Sequence, residues 1–426
     1  MSSNSQLYLA VGIFILTYAI IVSEKINRMT IAFFGALLLV LFKIINLEFA
    51  FHSIDFDTIS LLIGMMIIVN ITKRTGLFQY IAIKSAKLAK GDPWRILIML
   101  SIITAVSSAL LDNVTTVLLI APVTLVITEA LQINPIPFMV VQILSANIGG
   151  TATLIGDPPN IMIGSETNLG FMDFLSNLLP VVIVIYLVTF FFIKRMYKSK
   201  LHVKDDLKLK IMDMNENLAL TDIPLLIKSL CILFLTMLGF ALHQFIGLET
   251  ATVALAGASI LLLISKLDPE EIVHEIEWIT IFFFAFLFIL VGGLEKVGVI
   301  DFIAKGVVEM TNGNILLTTI LILWISAIAS SFLDNIPFVA TMIPIIKGVG
   351  ALSTFNITPL WWALALGACL GGNGTLVGAS ANVVVAGILE KHNHKISFME
   401  YMKIAFPLMI LSIIIATIYL YVFYLR

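Results

Sequence analysis

Long apolar stretches recur along the chain about every 25–35 residues, a spacing typical of a helical protein that crosses a membrane many times. In the first half they predict membrane-spanning helices near residues 7–22, 29–47, 57–73 and 174–194. In the second half they predict spans near residues 229–244, 248–265, 278–296 and 403–424. The pattern of hydrophobic positions therefore predicts an all-α polytopic membrane protein.

One stretch of the first half has polar residues on one side of a predicted helix. The segment LFQYIAIKSAKLAKGDPW, residues 77–94, places Lys84, Lys87 and Lys90 on one helical face. The Gly-Asp-Pro sequence near its end stops the predicted helix. We expect this helix to lie at the membrane surface instead of crossing the bilayer.

Four further segments are apolar at their ends and polar in their middle. Residues 95–130 and 315–350 each contain Leu-Asp-Asn, and each is expected to form a re-entrant hairpin, with two complete spans as the alternative. Residues 137–165 and 359–390 are interrupted by NIGGTATLIGDPPN and CLGGNGTLVGASAN. Glycines loosen both sequences and prolines remove backbone donors from the first, so each segment predicts a broken helix.

A constant offset of 222 residues relates the two halves of the chain. It aligns Asp112 with Asp334 and Asn113 with Asn335, and it also aligns glycines, threonines and prolines without a gap through the broken helices. Each half then has about five crossings, and an odd number inverts the second repeat relative to the first. The predicted units are a first inverted repeat at 1–194, a cytoplasmic linker at 195–223 and a second inverted repeat at 224–426.

Composition excludes a soluble protein. The chain is 60% hydrophobic and 12% charged, with a mean hydropathy of +1.06, whereas soluble domains are roughly 45–50% apolar and about 25% charged. The first residues lack a basic region and a small-residue cleavage site, so they predict a retained first span. The two cysteines predict no disulfide framework.

Charge predicts the orientation in the cell membrane. With both termini outside and the linker in the cytoplasm, most basic residues fall on the cytoplasmic side, as the positive-inside rule requires. The same rule does not distinguish hairpins from complete spans. The basic residues expected outside are Lys43, Lys296, Lys305, Lys347 and Arg426.

Two aspartates at equivalent positions in apolar segments predict an ion site. A carboxylate within a bilayer costs about 2.5–3.5 kcal/mol on insertion scales and usually serves a function. No Lys, Arg or His lies within the apolar core of the same segments, away from their ends, so we expect each carboxylate to bind a cation or take up a proton. A purely structural interpretation, in which the aspartates cap helices, is the alternative.

The interrupted helices supply the rest of the predicted site. A break at membrane depth exposes backbone carbonyl and N–H groups, which is tolerated where the backbone lines a cavity or binds an ion. Asp157 has no acidic equivalent, because the offset aligns it with Ala379; it is either a third ligand or a helix cap. Neutral oxygens are offered by Thr151, Thr153, Asn160, Asn373, Thr375, Ser380 and Asn382.

The sequence contains no Walker loop, no His-Glu-x-x-His motif and no Ser/His/Asp pattern in a soluble domain. We therefore do not expect an enzyme, a nucleic-acid partner or an organic cofactor. A coupling ion, either sodium or a proton, is the ligand that the two carboxylates predict, with sodium held by Asp112, Asn113, Asp334 and Asn335.

The motifs FLDNIPFVATMIP, NIGGTATLIGDPPN and CLGGNGTLVGASAN resemble the ion transporter superfamily, in particular the arsenite permease, NhaD-type sodium/proton antiporter and melanosomal P protein group. The resemblance is nearest to P protein-like bacterial members and covers nearly the whole chain. It implies two inverted repeats, a moving transport domain and a homodimer. It also implies that hairpin tips and helix breaks bind the substrate, here Ser108, Asp112, Asn113, Thr115, Asn147, Gly149, Thr151, Thr153, Asp157, Asn160, Ser330, Asp334, Asn335, Gly371, Asn373, Thr375, Ser380 and Asn382.

These observations predict a secondary transporter that works by elevator-type alternating access, with sodium/proton antiport as the first hypothesis. Export of arsenite or another small inorganic anion is an alternative, as is sodium-coupled transport of an anion such as a carboxylate. Related divalent-anion/sodium symporters usually carry Ser-Asn-Thr at the tips, and the Leu-Asp-Asn found here argues against a dicarboxylate. A passive ion channel is the remaining alternative.

Overall fold

The computed structural model describes residues 3–23 and 25–426, and over these residues it contains helices and connecting turns but no strand. The all-α prediction is confirmed. The helices of the first half are α1 Ser3–Ser23, α2 Arg28–Leu41, α3 Leu47–His52, α4 Phe56–Arg74, α5 Leu77–Leu88, α6 Pro93–Leu110, α7 Asn113–Ala130, α8 Ile136–Gly150, α9 Pro158–Ser165 and α10 Phe171–Tyr197.

The connection between the halves contains one α-helix, α11 Asp205–Met212, and two short 3₁₀ helices, Lys198–Lys200 and Glu216–Ala219. The second half then repeats the element order of the first. Its helices are α12 Ile223–Ile246, α13 Thr250–Ser265, α14 Pro269–His274, α15 Trp278–Lys296, α16 Val299–Met310, α17 Ile315–Phe332, α18 Asn335–Leu352, α19 Thr358–Gly371, α20 Ser380–Lys391 and α21 Phe398–Leu420. Helices α4 to α7 recur as α15 to α18 with both ends displaced by 222 residues.

Ten helices in the described residues are long and apolar enough to cross a membrane, namely α1, α4, α6, α7, α10, α12, α15, α17, α18 and α21. Four shorter apolar helices, α2, α8, α13 and α19, lie among them. Many large apolar side chains on the outside are exposed, including Phe191, Phe234 and Leu263. A lipid-facing surface of this kind is expected where the surrounding solvent is hydrocarbon.

Two local details differ from the sequence-based expectation. The predicted span 29–47 is shorter, because α2 ends at Leu41 and the chain turns through Lys43, whose φ is +57°, before α3. Lys90 does not share a helical face with Lys84 and Lys87, because α5 ends at Leu88 and Lys90 adopts a φ of +55°. In both places a left-handed residue ends the helix sooner than the apolar pattern suggests.

The segment after α10 is fastened to the ends of α4 and α5. Lys87 Nζ donates to Glu216 Oε2 at 2.5 Å and to the Met214 carbonyl at 2.9 Å. The Thr221 N–H donates to the Thr75 carbonyl at 3.1 Å. Gly76, with a φ of +80°, lies against the Ala219 carbonyl, so a side chain there would collide with the segment. Residues 214–221 are therefore a bound strap between the two halves.

Each predicted hairpin segment is a pair of helices joined by two residues, and all four helices are long enough to cross a membrane, so re-entrance stays a prediction. The first tip is Leu111 and Asp112 between α6 and α7, and the second tip is Leu333 and Asp334 between α17 and α18. Each predicted broken helix is also present, with a first break at 151–157 and a second break at 372–379. Helix α6 packs on α8 and α17 on α19, while α7 packs on α20 and α18 on α9. Each hairpin thus contacts the breaks of both halves.

Candidate functional site

Serine hydroxyls join the hairpins to the broken helices. Ser108 Oγ donates to the Ala146 carbonyl at 2.6 Å, and Ser330 Oγ donates to the Ala368 carbonyl at the same distance. Both serines are fully buried. Because these carbonyls lie in the last turns of α8 and α19, each serine holds a hairpin end against the start of a break.

Threonines and glycines bring the same elements together. Thr153 Oγ1 donates to the Ala109 carbonyl at 2.5 Å, and Thr375 Oγ1 donates to the Ser331 carbonyl at 2.5 Å. Gly149 lies against the backbone of α6, and Gly371 lies against the backbone of α17. A Cβ atom on either glycine would come closer to the neighbouring backbone than van der Waals contact allows.

Two buried asparagines satisfy the carbonyl groups that the breaks leave free. Asn160 Nδ2 donates to the carbonyls of Thr151 and Thr153 at 3.2 and 2.8 Å. Asn382 Nδ2 donates to the carbonyls of Gly372 and Thr375 at 2.7 and 2.9 Å. Unpaired carbonyls at membrane depth would cost several kcal/mol each. These two amides therefore hold the non-helical backbone of the breaks in place.

A chain of buried amides connects the two halves. Asn113 Nδ2 donates to Asn147 Oδ1 at 3.2 Å, and Asn147 Nδ2 donates to Asn373 Oδ1 at 3.0 Å and to Asn382 Oδ1 at 2.9 Å. Cys369, which the offset aligns with Asn147, places its Sγ 3.5 Å from Asn160 Oδ1. Asn113 and Asn147 of the first repeat are thus joined to Asn373 and Asn382 of the second in one network.

Asp112 and Asp334 both stand at the N-cap position of the second hairpin helix. Asp112 Oδ1 accepts a hydrogen bond from the Thr115 N–H at 2.8 Å, and Asp334 Oδ1 accepts one from the Ile336 N–H at 3.1 Å. The capping interpretation therefore describes one oxygen of each carboxylate. The second oxygen of Asp334 is engaged by other groups.

Asp334 is paired with a cation, contrary to the expectation from its own stretch of sequence. Arg28 Nη1 lies 2.5 Å from Asp334 Oδ2 and 2.7 Å from Ser380 Oγ, which itself donates to the same carboxylate oxygen at 2.8 Å. The expectation failed because Arg28 is remote in sequence and belongs to the start of α2. Among the described residues, no equivalent ion pair reaches Asp112.

Asp157 lies deepest of the three aspartates. It is fully buried and precedes α9, yet its side chain makes no cap hydrogen bond. Its Oδ1 accepts a hydrogen bond from Asn335 Nδ2 of the other half at 3.1 Å. Its Oδ2 makes no hydrogen bond in the described residues, although the Cys369 thiol lies against the carboxyl group. Of the two roles expected for Asp157, the geometry favours a ligand over a cap.

Two cavities lead to the tips. One, of about 420 Å³, is lined by Asp112, Pro158, Glu277, Arg28 and Ser380 among others. The other, of about 370 Å³, is lined by Asp334, Tyr18, Arg28 and Ser380 among others. Arg28 and Ser380 therefore form the partition between the two cavities.

Sequence reasoning missed four residues at this site: Arg28, Tyr18, Glu277 and Cys369. Arg28 and Glu277 are charged residues at the starts of predicted spans, where charge is ordinary. Burial and the negative charge of Asp112 raise the pKa of Glu277 above its usual range. Tyr18 lies within an apolar predicted span, where the sequence gives no sign of a polar role. Its hydroxyl donates a hydrogen bond to the Pro337 carbonyl at 2.9 Å. Cys369 could have been found from its alignment with Asn147.

The donor set is composed of carboxylate, amide and carbonyl oxygens, with sulfur only at Cys369. Hard cations prefer oxygen ligands of these kinds. The site can therefore hold a small cation or a proton at Asp112 and Asp157, while Arg28 supplies a positive charge beside Asp334.

Comparison with known proteins identifies the family of this chain. Residues 18–367 match the family model described as "Citrate transporter". The chain belongs to the citrate transporter family. It is 44% identical to a 46 kDa membrane protein of Mycobacterium leprae, covering 98% of this chain and 99% of that protein. It is 43% identical to an uncharacterized transporter of Mycobacterium tuberculosis, covering 97% and 98%.

The resemblance to the melanosomal P protein group is confirmed. The human P protein is 34% identical over 99% of this chain, which spans 60% of that longer protein. The crystal structure of the YdaH transporter of Alcanivorax borkumensis has a TM-score of 0.64 at 12% identity, over 98% of each chain. That likeness confirms the fold. The chain is accordingly a multi-pass membrane transporter, and its relatives are named as transporters and not as enzymes.

Proposed function

We propose that this transporter exchanges sodium for protons across the cell membrane by alternating access. The observation that carries the proposal is Asp157, whose second carboxylate oxygen is buried without a partner at the meeting point of the two halves. An ionised carboxylate in such a place is stable only beside a cation, and a vacant one takes up a proton. A site that holds either sodium or a proton, but not both, can exchange one ion for the other.

The neighbouring groups support the same chemistry. Asp112 offers a second carboxylate with one oxygen engaged by Thr115, and Asn335 and Asn113 offer amide oxygens on the two tips. Together these residues come from both hairpins, so a movement of one half against the other would change the ligand set. Binding and release on opposite sides follow from such a change.

The proposed orientation makes the described state open to the cytoplasm. Both cavities are lined by Arg28 at the start of α2, and the cavity of Asp112 is also lined by Glu277 at the start of α15; the charge pattern assigns both helix starts to the cytoplasmic side. At the end assigned to the outside, Lys347 of α18 pairs with Glu166 after α9. We propose that this pair closes the outer side, and that the hairpins are re-entrant with their tips near the bilayer midplane.

Sodium-coupled anion transport is the second candidate. It is favoured by Arg28, a guanidinium that lines both cavities and could bind a carboxylate, and by the description of the family as citrate transporters. Against it, Arg28 is already engaged by Asp334 and Ser380. An anion would have to displace that carboxylate.

Purified protein in liposomes that enclose a pH-sensitive dye tests the proposal. Sodium, lithium and potassium chloride are added outside in turn, followed by arsenite and citrate in the presence of sodium. Sodium added outside should alkalinise the lumen, because sodium enters in exchange for protons that leave. Liposomes with the Asp157→Asn protein should show only the proton leak of protein-free liposomes. A signal that needs citrate or arsenite would favour the anion hypotheses, and a conductance without proton movement would favour a channel.

A further inference from the structure

Arg28 is a partly buried charge that cation/proton exchange at Asp112 and Asp157 does not use. It is the first residue of α2, and its guanidinium contacts Asp334, Ser380 and the face of the Phe283 ring, 5.0 Å from the ring centre. The side chains of Arg28 and Asp334 are only 26% and 13% exposed. The pair is therefore shielded from water and persists at physiological salt.

The placement of Arg28 is not explained by its own helix. A positive charge at a helix N-terminus is disfavoured by the helix dipole. The carboxylate and the aromatic ring offset that cost, so the position of the guanidinium is set by the second tip and α15. The side chain thus links α2 to the second hairpin.

The offset of 222 residues shows that this cation is present in one half alone. It aligns Arg28 with Thr250, Ser380 with Pro158 and Asp334 with Asp112. In the ranges that the structure describes, Asp112 pairs with no Lys, Arg or His. Two carboxylates at equivalent places therefore differ in one respect, which is that the second has a cation supplied by the protein.

We propose that Arg28 is a positioning residue that serves as the internal counter-ion of Asp334. Its guanidinium occupies the place that a monovalent cation would take at the second tip, and sodium reaches Asp334 only when α2 and the second hairpin separate. The assignment of sodium to Asp112 and Asp157 in the described state rests on the proposed exchange function. Tyr18, which donates to the Pro337 carbonyl, would part from the same hairpin in the same step.

Thermal unfolding of the full chain in detergent tests this inference. The variants Arg28→Gln, Arg28→Lys, Asp334→Asn and Arg28→Gln/Asp334→Asn are compared in choline chloride and in sodium chloride at equal ionic strength. Arg74→Gln is the matched control, because Arg74 also holds an ion pair, with Glu271 at 2.6 Å, but lines neither cavity.

In choline, Arg28→Gln should lower the Tm, because it leaves a carboxylate without a partner. Sodium should then raise its Tm by at least about twice the wild-type rise, since a second site becomes available for mass action. Arg28→Lys and Arg74→Gln should respond to sodium as the wild type does. The double variant should lose the additional response, because no charge remains at the second tip.

An unchanged sodium response in folded Arg28→Gln overturns the inference. If that variant does not fold, Asp334→Asn decides: it should keep the wild-type sodium rise, and loss of the rise would show that Asp334 already holds sodium. The exchange function is judged separately by the dye signal of the wild type. If the wild type exchanges sodium for protons but Arg28→Gln shows no additional sodium-dependent rise in Tm, only the role of Arg28 as internal counter-ion is rejected. If Arg28→Gln shows the additional rise but the wild type gives no exchange signal, only the antiport proposal is rejected.

Discussion

At the scale of single residues, the three aspartates of the site are distinguished by what each carboxylate oxygen contacts. Asp112 caps a helix, Asp334 caps a helix and pairs with Arg28, and Asp157 accepts one hydrogen bond and leaves one oxygen without a partner. The last arrangement is costly for a charged group, because a buried polar atom without a partner loses its hydration. We therefore expect the charge of Asp157 to serve transport and not folding.

The variant Asp157→Asn should fold and be as stable as the wild type, or more stable, in a buffer without alkali cations. The amide keeps the shape and is neutral, and the vacant carboxyl group of the wild type takes up a proton, so the free energy of unfolding should not fall by more than about 1 kcal/mol. Its Tm should no longer rise with sodium. Differential scanning fluorimetry measures both effects.

Asp301→Asn is the matched control, since Asp301 is exposed on α16. It should leave the Tm and its sodium dependence unchanged. A destabilised Asp157→Asn protein, or one that keeps the full sodium dependence, would assign Asp157 a structural role.

The sequence predicted most residues of the site but not their pairing. The repeat register identified the aspartates, asparagines and threonines, because polar groups in apolar segments are conspicuous. Arg28 and Glu277 were not identified, since a charge at a span end is ordinary and only the fold brings α2 and α15 to the tips. The two possible roles of Asp157 could be separated only by the direction of its side chain.

At the scale of elements, the helix breaks depend on close packing against the hairpins. Gly149 lies against Ala105 of α6, and an added Cβ would come within 2.6 Å of the Ala105 Cα atom. Gly387 of α20 has no atom within 4 Å of the place that a Cβ would take. The two glycines are both helical and differ mainly in this contact.

Gly149→Ala should destabilise the protein by about 1–3 kcal/mol, because the hairpin and α8 must move apart. Gly387→Ala should be neutral or stabilise by up to about 0.5–1 kcal/mol through helix propensity. Thermal unfolding and the transport rate of both variants check this. Equal Tm values for the two would mean that α6 and α8 do not pack as described.

The strap at 214–221 gives the protein a response to acid outside the membrane. The Lys87 ammonium, which donates to the Glu216 carboxylate, lowers the pKa of Glu216 below its usual range. Such a pair stabilises the strap fully above the ordinary glutamate pKa of about 4.3, and its contribution is lost as the pH falls through the lowered pKa.

Hydrogen exchange of residues 214–221, corrected for intrinsic rates, should therefore stay slow from pH 7 to pH 5 and accelerate below about pH 4. Glu216→Gln should accelerate it already at pH 7. Asp205→Asn, which removes the exposed pair between Asp205 and Lys208, should not. Fast exchange in the wild type at pH 7 would contradict the bound strap.

Most elements were predictable from hydrophobic pattern and motif. The helix pairs around the two tips, the breaks and the helix that follows Gly76 begin and end near the residues that the sequence indicated, because Asp-Asn, Gly-Gly and Pro-Pro interrupt apolar runs at defined points. The helix end at Leu41 and the left-handed Lys90 were not predictable, since apolar or basic residues continue through both turns. The strap could not be foreseen, because Lys87 and Glu216 are remote in sequence.

At the scale of the whole molecule, the two cavities and the proposed orientation together predict that the site is accessible from the cytoplasmic side alone. Val114 lines the cavity of Asp112, and Leu333 lines the cavity of Asp334. With Cys231→Ser, which removes the exposed native cysteine, Val114→Cys and Leu333→Cys should react with a membrane-impermeant thiol reagent from the cytoplasmic side. Reaction only from the outside would contradict the proposed orientation.

Sodium accumulation driven by a proton gradient tests the central claim most directly. Liposomes with an acidic lumen and equal sodium on both sides receive the wild-type protein, Asp157→Asn or no protein, and radioactive sodium in the lumen is followed over time. The wild type should concentrate sodium inside while the pH gradient lasts and release it when the gradient is dissipated, and Asp157→Asn should not. Absence of accumulation by active wild-type protein, or equal accumulation by Asp157→Asn, would contradict exchange at the buried carboxylates.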